Sequence, residues 1–179
     1  MSDNTVSTQT LPPGVQRVTE ALAALDHPHA PVMLDDAART AQQAADALGV
    51  ALGQIAKSII FRRKNHPGGD DVAVLVITSG DLRVDEKKVQ AIACADGGKL
   101  GRADADFVKE KTGFSIGGVS PLAHASPPVT LIDEQLFRFE VIWAAAGHPH
   151  GVFRLSPDDL RRLTGAPVHA VTVPLSPVP

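Results

Sequence analysis

One cysteine, no tyrosine, one tryptophan and no excess of basic charge mark what this 179-residue chain lacks. The single Cys94 excludes an intramolecular disulfide and any multi-cysteine zinc site. Aromatic residues are only 4%, too few for a broad base-stacking platform. Seventeen basic against twenty acidic residues leave a net charge of −3, which excludes polyanion binding by bulk charge. The longest apolar runs, residues 73–77 and 141–146, are far too short to cross a bilayer. The first residues have no basic start followed by an apolar stretch, so no secretory signal is expected and a cytoplasmic location is the default. Phosphate-binding G-x-x-x-x-G-K-[ST], dinucleotide-binding G-x-G-x-x-G after a strand, and nucleophile-elbow G-x-S-x-G patterns are all absent.

What is present is an ordinary globular composition, 44% hydrophobic and 21% charged. Its length suits one domain. Residues 1–14 and 174–179 read as loose tails around a domain at 15–173. Helical spacing of Val15, Val18, Leu22 and Leu25 predicts a helix over 15–25. Thr40 and Gly49 bracket a second helix, Asp85 starts a third, residues 104–111 form a fourth, and Ser156-Pro157 starts a fifth. Strands are expected at 32–34, 57–63, 72–78, 129–132, 139–145, 152–155 and 168–173. The β-branched run 72–78 is expected to be central and buried on both faces. Strands in groups with helices at irregular intervals predict an α+β fold on a mixed or antiparallel sheet.

The chemistry-bearing candidates are few. His27-Pro-His29 and His148-Pro-His150 repeat a tripeptide that could share a metal, but each encloses a proline and neither has a third ligand at a familiar spacing. They read as loop histidines, and no metal or cofactor is expected. Cys94 reads as a small buried hydrophobe. Lys57 interrupts the apolar stretch Gln54-Ile-Ala-Lys-Ser-Ile-Ile-Phe61, and it either snorkels to the surface or is held for chemistry. Gly117-Gly118-Val-Ser-Pro121 is either a tight turn or a loop whose backbone approaches a ligand. Arg62, Arg63 and Lys64, then Lys87 and Lys88, form local basic groups that suit a solvated face or the end of a nucleic acid.

Taken in order, these pieces resemble a known family. Thr40-x-x-x-Ala44-Ala45-x-x-Leu48-Gly49-Val50 and Gln54-Ile55-x-Lys57-Ser58-Ile59-x-Phe61-Arg62 are similar to the opening of the YbaK/ProX aminoacyl-tRNA deacylases, relatives of the editing insertion of bacterial prolyl-tRNA synthetase. Gly80-Asp81-x-x-Val84-Asp85-x-Lys87-Lys88, then Thr112-Gly113-Phe114-x-x-Gly117-Gly118-Val119-Ser120-Pro121, and Leu155-Ser-Pro-Asp-Asp-Leu160 follow in the family's order. The resemblance implies a compact domain on a mixed, barrel-like sheet with surrounding helices. It implies hydrolysis of the ester between a wrong, small amino acid such as Ala or Cys and tRNA for proline, acting in trans. It further implies Lys57, Gly117 and Gly118 as catalytic groups and Ser58, Ser120, Pro121, Ala145, Gly147 and His148 around the substrate. Arg62, Arg63 and Lys88 would meet tRNA phosphates, and prolyl-tRNA synthetase is a possible second partner. Two other classes compete: a non-catalytic tRNA- or synthetase-binding module of the same fold, and a histidine-based metal hydrolase. The sequence departs from the family at Ala144-Ala-Ala146, where many relatives carry a polar and then a basic step, and at Ser58, where the alanine-specific branch tends to carry Asn.

Overall fold

The computed structural model describes residues 10–35, 38–64 and 69–174. Residues 1–9 and 175–179 of the expected tails, and residues 66–68 of the expected 66–71 loop, lie outside these. Among the described residues, five helices surround one mixed sheet of eight strands. In chain order they are α1 (Pro13–Ala24), β1 (Val32–Met33), α2 (Ala41–Leu48), β2 (Ile55–Lys64), β3 (Val72–Ser79), α3 (Glu86–Ala93), β4 (Lys99–Arg102), α4 (Ala105–Thr112), β5 (Val129–Asp133), β6 (Ile142–Ala145), β7 (Gly151–Leu155), α5 (Pro157–Thr164) and β8 (Val168–His169).

Local signals explain most helix boundaries. Thr40 and Gln43 form a reciprocal capping box, and Gly49 closes α2 in the left-handed conformation. Asp85 and Asp104 accept N–H groups of the first turns of α3 and α4, and Ser156 does the same for α5. Helix α1 begins at Pro13, inside the stretch expected to be tail, because proline suits a first turn and Val15, Val18 and Leu22 bury a continuous stripe.

The sheet runs β1-β7-β6-β2-β3-β5-β8, with β4 added on β2. Strand β3 is its buried centre, antiparallel to β2 and parallel to β5. Its alternate side chains feed two cores. Leu75 and Ile77 join Leu22, Phe114, Ile142, Phe153 and Leu160 on one face. Val74 and Val76 meet Phe61, Val89 and Leu131 on the other. Each fully buried Val or Ile contributes about 1.5–3 kcal/mol, so β3 is the frame on which the rest is hung.

Strand β2 has a divided second edge. Its start pairs in parallel with β6 at Ile55↔Trp143 and Ala56↔Ala144. Its end pairs with β4 from Phe61↔Arg102 to Lys64↔Lys99. No described strand pairs residues 57–60 on that side, so the sheet opens there, beside Lys57.

Three strand readings change. β4 was not expected, since Lys99–Arg102 is polar and contains glycine; the unpaired end of β2 supplies its ladder. The strand expected over 139–145 starts at Ile142, because residues 134–138 coil into a 3-10 turn. The strand expected over 168–173 ends at His169. The fully buried Asp133 carboxylate then takes the Val171 N–H and the Thr172 hydroxyl, and Thr172 makes only a lone bridge to Val84.

Candidate active site

Lys57 sits at the opening in the sheet. Its register partner across the ladder is Thr78, and β3 turns back just beyond. In that turn the Gly80 N–H donates to the Ile55 carbonyl at 2.8 Å, and a Cβ at Gly80 would lie 2.6 Å from the Leu52 carbonyl oxygen. Only glycine lets the chain pass so close. The turn delivers the Leu82 carbonyl to the Lys57 ammonium, which donates to it at 2.7 Å. Asp81 lies beside the lysine and is itself gripped by Arg138 through two bonds of 2.9 and 3.2 Å. Burial pushes the Lys57 pKa below its ordinary value, and the Asp81 charge partly opposes this. The lysine is therefore half-buried and held at a fixed point rather than trailing into solvent.

A cleft of about 340 Å³ opens at this lysine. Lys57 and Ser58 line one wall, and Ile116, Gly117 and Val119 of the glycine loop line another. Trp143, Ala144 and Ala145 of β6, the N-terminal end of α2, and Val152 complete it. The walls are largely apolar. The Ser58 hydroxyl is buried without a partner. Gly117 has φ +90°, and a Cβ there would meet nothing within 4 Å. Its N–H has no protein acceptor among the described residues. An ammonium and a backbone N–H without a protein acceptor, on residues that line one cleft, are donors of the kind that can stabilise an oxyanion.

The expected site residues divide. Lys57, Ser58, Gly117 and Ala145 share the cleft. Gly118 does not line it. Its N–H closes a turn on the Ser115 carbonyl at 3.0 Å, and its Cα packs on the His148–Pro149 backbone, which a Cβ would approach within 2.7 Å. Gly147 and His148 lie behind the loop, in a separate cleft with Gly118 and Arg17. Ser120 and Pro121 are buried, and the Ser120 hydroxyl accepts the Leu122 N–H. These five residues shape the loops rather than touch the cleft.

The residues expected at phosphates already have partners within the chain. Arg63 is 5% exposed and bonded to Asp96 and the Gly97 carbonyl, because its side chain alternates inward on β2. Arg62 pairs with Asp71 at 2.6 Å and lies over the Phe107 ring at the far end of β2. Lys88 donates to the Thr172 carbonyl at 3.1 Å. Arg83 and Lys87, both exposed, line a broader groove of about 770 Å³ that shares Lys57, and Arg39 lines the cleft itself. The place of Arg83 and Lys87 on that groove depends on the turn after β3, which sequence spacing does not reveal. The sequence does not single out Trp143 and Arg138 as site residues for the same reason, and Asp81 stands there only as part of the Gly80-Asp81 motif.

The histidine tripeptides lie at opposite ends of β7. His27 Nε2 bonds the Arg154 carbonyl at 2.8 Å, and His148 Nδ1 accepts the His150 N–H at 3.1 Å. Among the described residues no group of three or more metal-ligating side chains forms. No helix there is long and apolar enough to cross a membrane.

His124 carries a pH expectation. It is held against the Ser120 carbonyl at 2.6 Å, and burial lowers its pKa, with nearby Arg17 adding to the effect and the carbonyl bond opposing it. The unfolded chain takes up a proton near pH 6.5 while the folded one resists it. Stability is thus full above that value and falls as pH drops below it, toward the lowered folded pKa. Thermal melts between pH 7.5 and 5 should show a steeper loss for the native protein than for His124→Gln; equal slopes would contradict this.

The chain is similar to known proteins in sequence and in fold. Residues 35–163 match the aminoacyl-tRNA editing domain family. The uncharacterized protein YwhH of Bacillus subtilis (strain 168) is 36% identical over 121 residues, covering 68% of this chain and 72% of that protein. A crystal structure described as a "putative trans-editing enzyme for prolyl tRNA synthetase" superposes with TM-score 0.82 at 37% identity, covering 92% of this chain and all of the other. The hypothetical protein APE2540 follows at TM-score 0.75 and 27% identity, with 88% and 99% covered. With an ordered set of motifs, a fold and a family match over the same residues, this chain belongs to the aminoacyl-tRNA editing domain family of YbaK type.

Proposed function

We propose that this protein is a hydrolase that removes a wrong, small amino acid from tRNA for proline, acting in trans. The observation that supports the reading is one cleft lined by both Lys57, whose ammonium is tethered to the Leu82 carbonyl, and Gly117, whose N–H has no acceptor among the described residues. An aminoacyl ester is already activated. Water adds to the carbonyl carbon, the bond to the ribose oxygen breaks, and that oxygen takes up the proton that water gives up. No protein nucleophile is needed. The chain has to position the ester and stabilise the developing oxyanion, which two preorganised donors can do. The walls at Ala144 and Ala145 offer size and shape rather than a polar side-chain handle. Such a pocket suits Ala or Cys, which synthesis discriminates poorly because a missing methylene is worth only about 1–3 kcal/mol. Prolyl-tRNA synthetase, as the source of mischarged tRNA, is the natural working partner, and the cytoplasm the natural location.

The acceptor end would enter along the groove at Arg83 and Lys87. Each neutralised phosphate of a single strand contributes a slope of about −0.7 in log K against log salt, so the full dependence should be shallow, about −1 to −2. Arg83→Ala and Lys87→Ala should raise KM several-fold with kcat nearly unchanged, while Arg62→Ala and Lys88→Ala leave KM alone. Steady-state deacylation at two salt concentrations measures this. KM responding to Arg62 and not to Arg83 or Lys87 would overturn the assignment.

A further inference from the structure

We propose that Arg17 of α1 is a positioning residue that braces the glycine loop, although α1 lies outside the residues that match the family. The loop, residues 113–123, has no regular secondary structure of its own. Arg17 closes its two ends together: the same guanidinium nitrogen donates to the Thr112 carbonyl at 2.8 Å and the Ala123 carbonyl at 2.5 Å. The guanidinium carbon also lies 4.3 Å from the centre of the Phe114 ring, whose edge meets His124. It fills the space over Gly113, where a Cβ would come within 2.6 Å of it. Ala123 is held at φ +65°, a conformation an alanine keeps only when its surroundings fix it.

The same helix reaches the second loop of the cleft. Gly14 packs backbone to backbone on Gly147, and Gly147 in turn abuts Phe114. Gly118 packs on His148 and Pro149. Helix α1 therefore packs against both the Gly117 loop and the 147–150 loop. A lysine at position 17 would carry the charge, but it is shorter and has no planar guanidinium to stack on Phe114 and fill the space over Gly113. Loss of this brace leaves Gly117 free to wander by an ångström or more, a displacement that costs catalysis heavily.

The brace itself stands on geometry; its effect on turnover rests on the proposed function. The test compares native protein with Arg17→Ala and Arg17→Lys by amide hydrogen exchange and by deacylation. Exchange across residues 113–123 should rise about tenfold or more in both variants while β2 and β3 are unchanged. The kcat for a mischarged tRNA should fall about tenfold or more with KM within about threefold, and millimolar guanidinium, but not ammonium, should restore part of it in Arg17→Ala. Should the alanine variant fail to fold, Arg17→Lys carries the same measurements. Native exchange in the loop of a folded variant, or unchanged kcat, overturns the proposal. If the native protein hydrolyses no charged tRNA, the function falls and the exchange result alone decides the brace.

Discussion

Lys57→Ala is expected to lower deacylation at least about a hundredfold, the scale of losing one preorganised electrostatic donor. Stability should not follow activity down. The ammonium is partly desolvated and its folded pKa lies below the ordinary lysine value, so the folded state holds this proton less tightly than the unfolded chain does. The resulting penalty is present throughout neutral pH and is relieved only as pH rises through the lowered pKa toward 10.5. Lys57→Met should therefore melt at or above the native temperature at pH 7 while being inactive. The activity of the native protein should fall on an alkaline limb that begins earlier than an ordinary lysine would give, after subtraction of spontaneous ester hydrolysis. Near-native turnover in a folded Lys57→Ala protein would remove the lysine from the chemistry.

The two adjacent glycines should fail in opposite ways. At Gly117 a Cβ enters open space at the cleft, but φ +90° disfavours any side chain, at a cost of about 1–3 kcal/mol. Gly117→Ala should fold with a modestly lowered melting temperature and lose at least about tenfold in kcat, because the N–H proposed to face the ester would move. At Gly118 the obstacle is the His148–Pro149 backbone, which cannot swing aside as a side-chain tip would. Gly118→Val should destabilise by roughly 2–3 kcal/mol through overpacking, with activity lost alongside the fold. Melting curves and single-turnover rates on both variants separate the two. A fully stable, inactive Gly118→Val would restore the catalytic role that the resemblance implied for that residue.

The sequence announces the parts whose causes are local. Caps at Thr40, Asp85, Asp104 and Ser156 place helix starts within a residue, and the run at 72–78 marks the central strand. Lys57 stands out as a cation inside an apolar stretch, and Gly117 as part of a glycine pair. What is not legible depends on partners distant in the chain. β4 forms only because the end of β2 is unpaired. Arg63 looks like any surface arginine until the alternation of β2 and the position of Asp96 are known. Gly117 and Gly118 are chemically identical in sequence and are told apart only by what lies beyond each missing Cβ. The same holds for Arg17, whose two acceptors are 95 and 106 residues away.

The most direct test is deacylation of tRNA for proline charged separately with Ala, Cys, Ser or Pro, with native protein and Lys57→Ala side by side. The account predicts rapid release of Ala or Cys by the native protein, retention of Pro, and release near the spontaneous rate with Lys57→Ala. No release from any of the four by native protein, or release of Pro as fast as Ala and Cys, would contradict it.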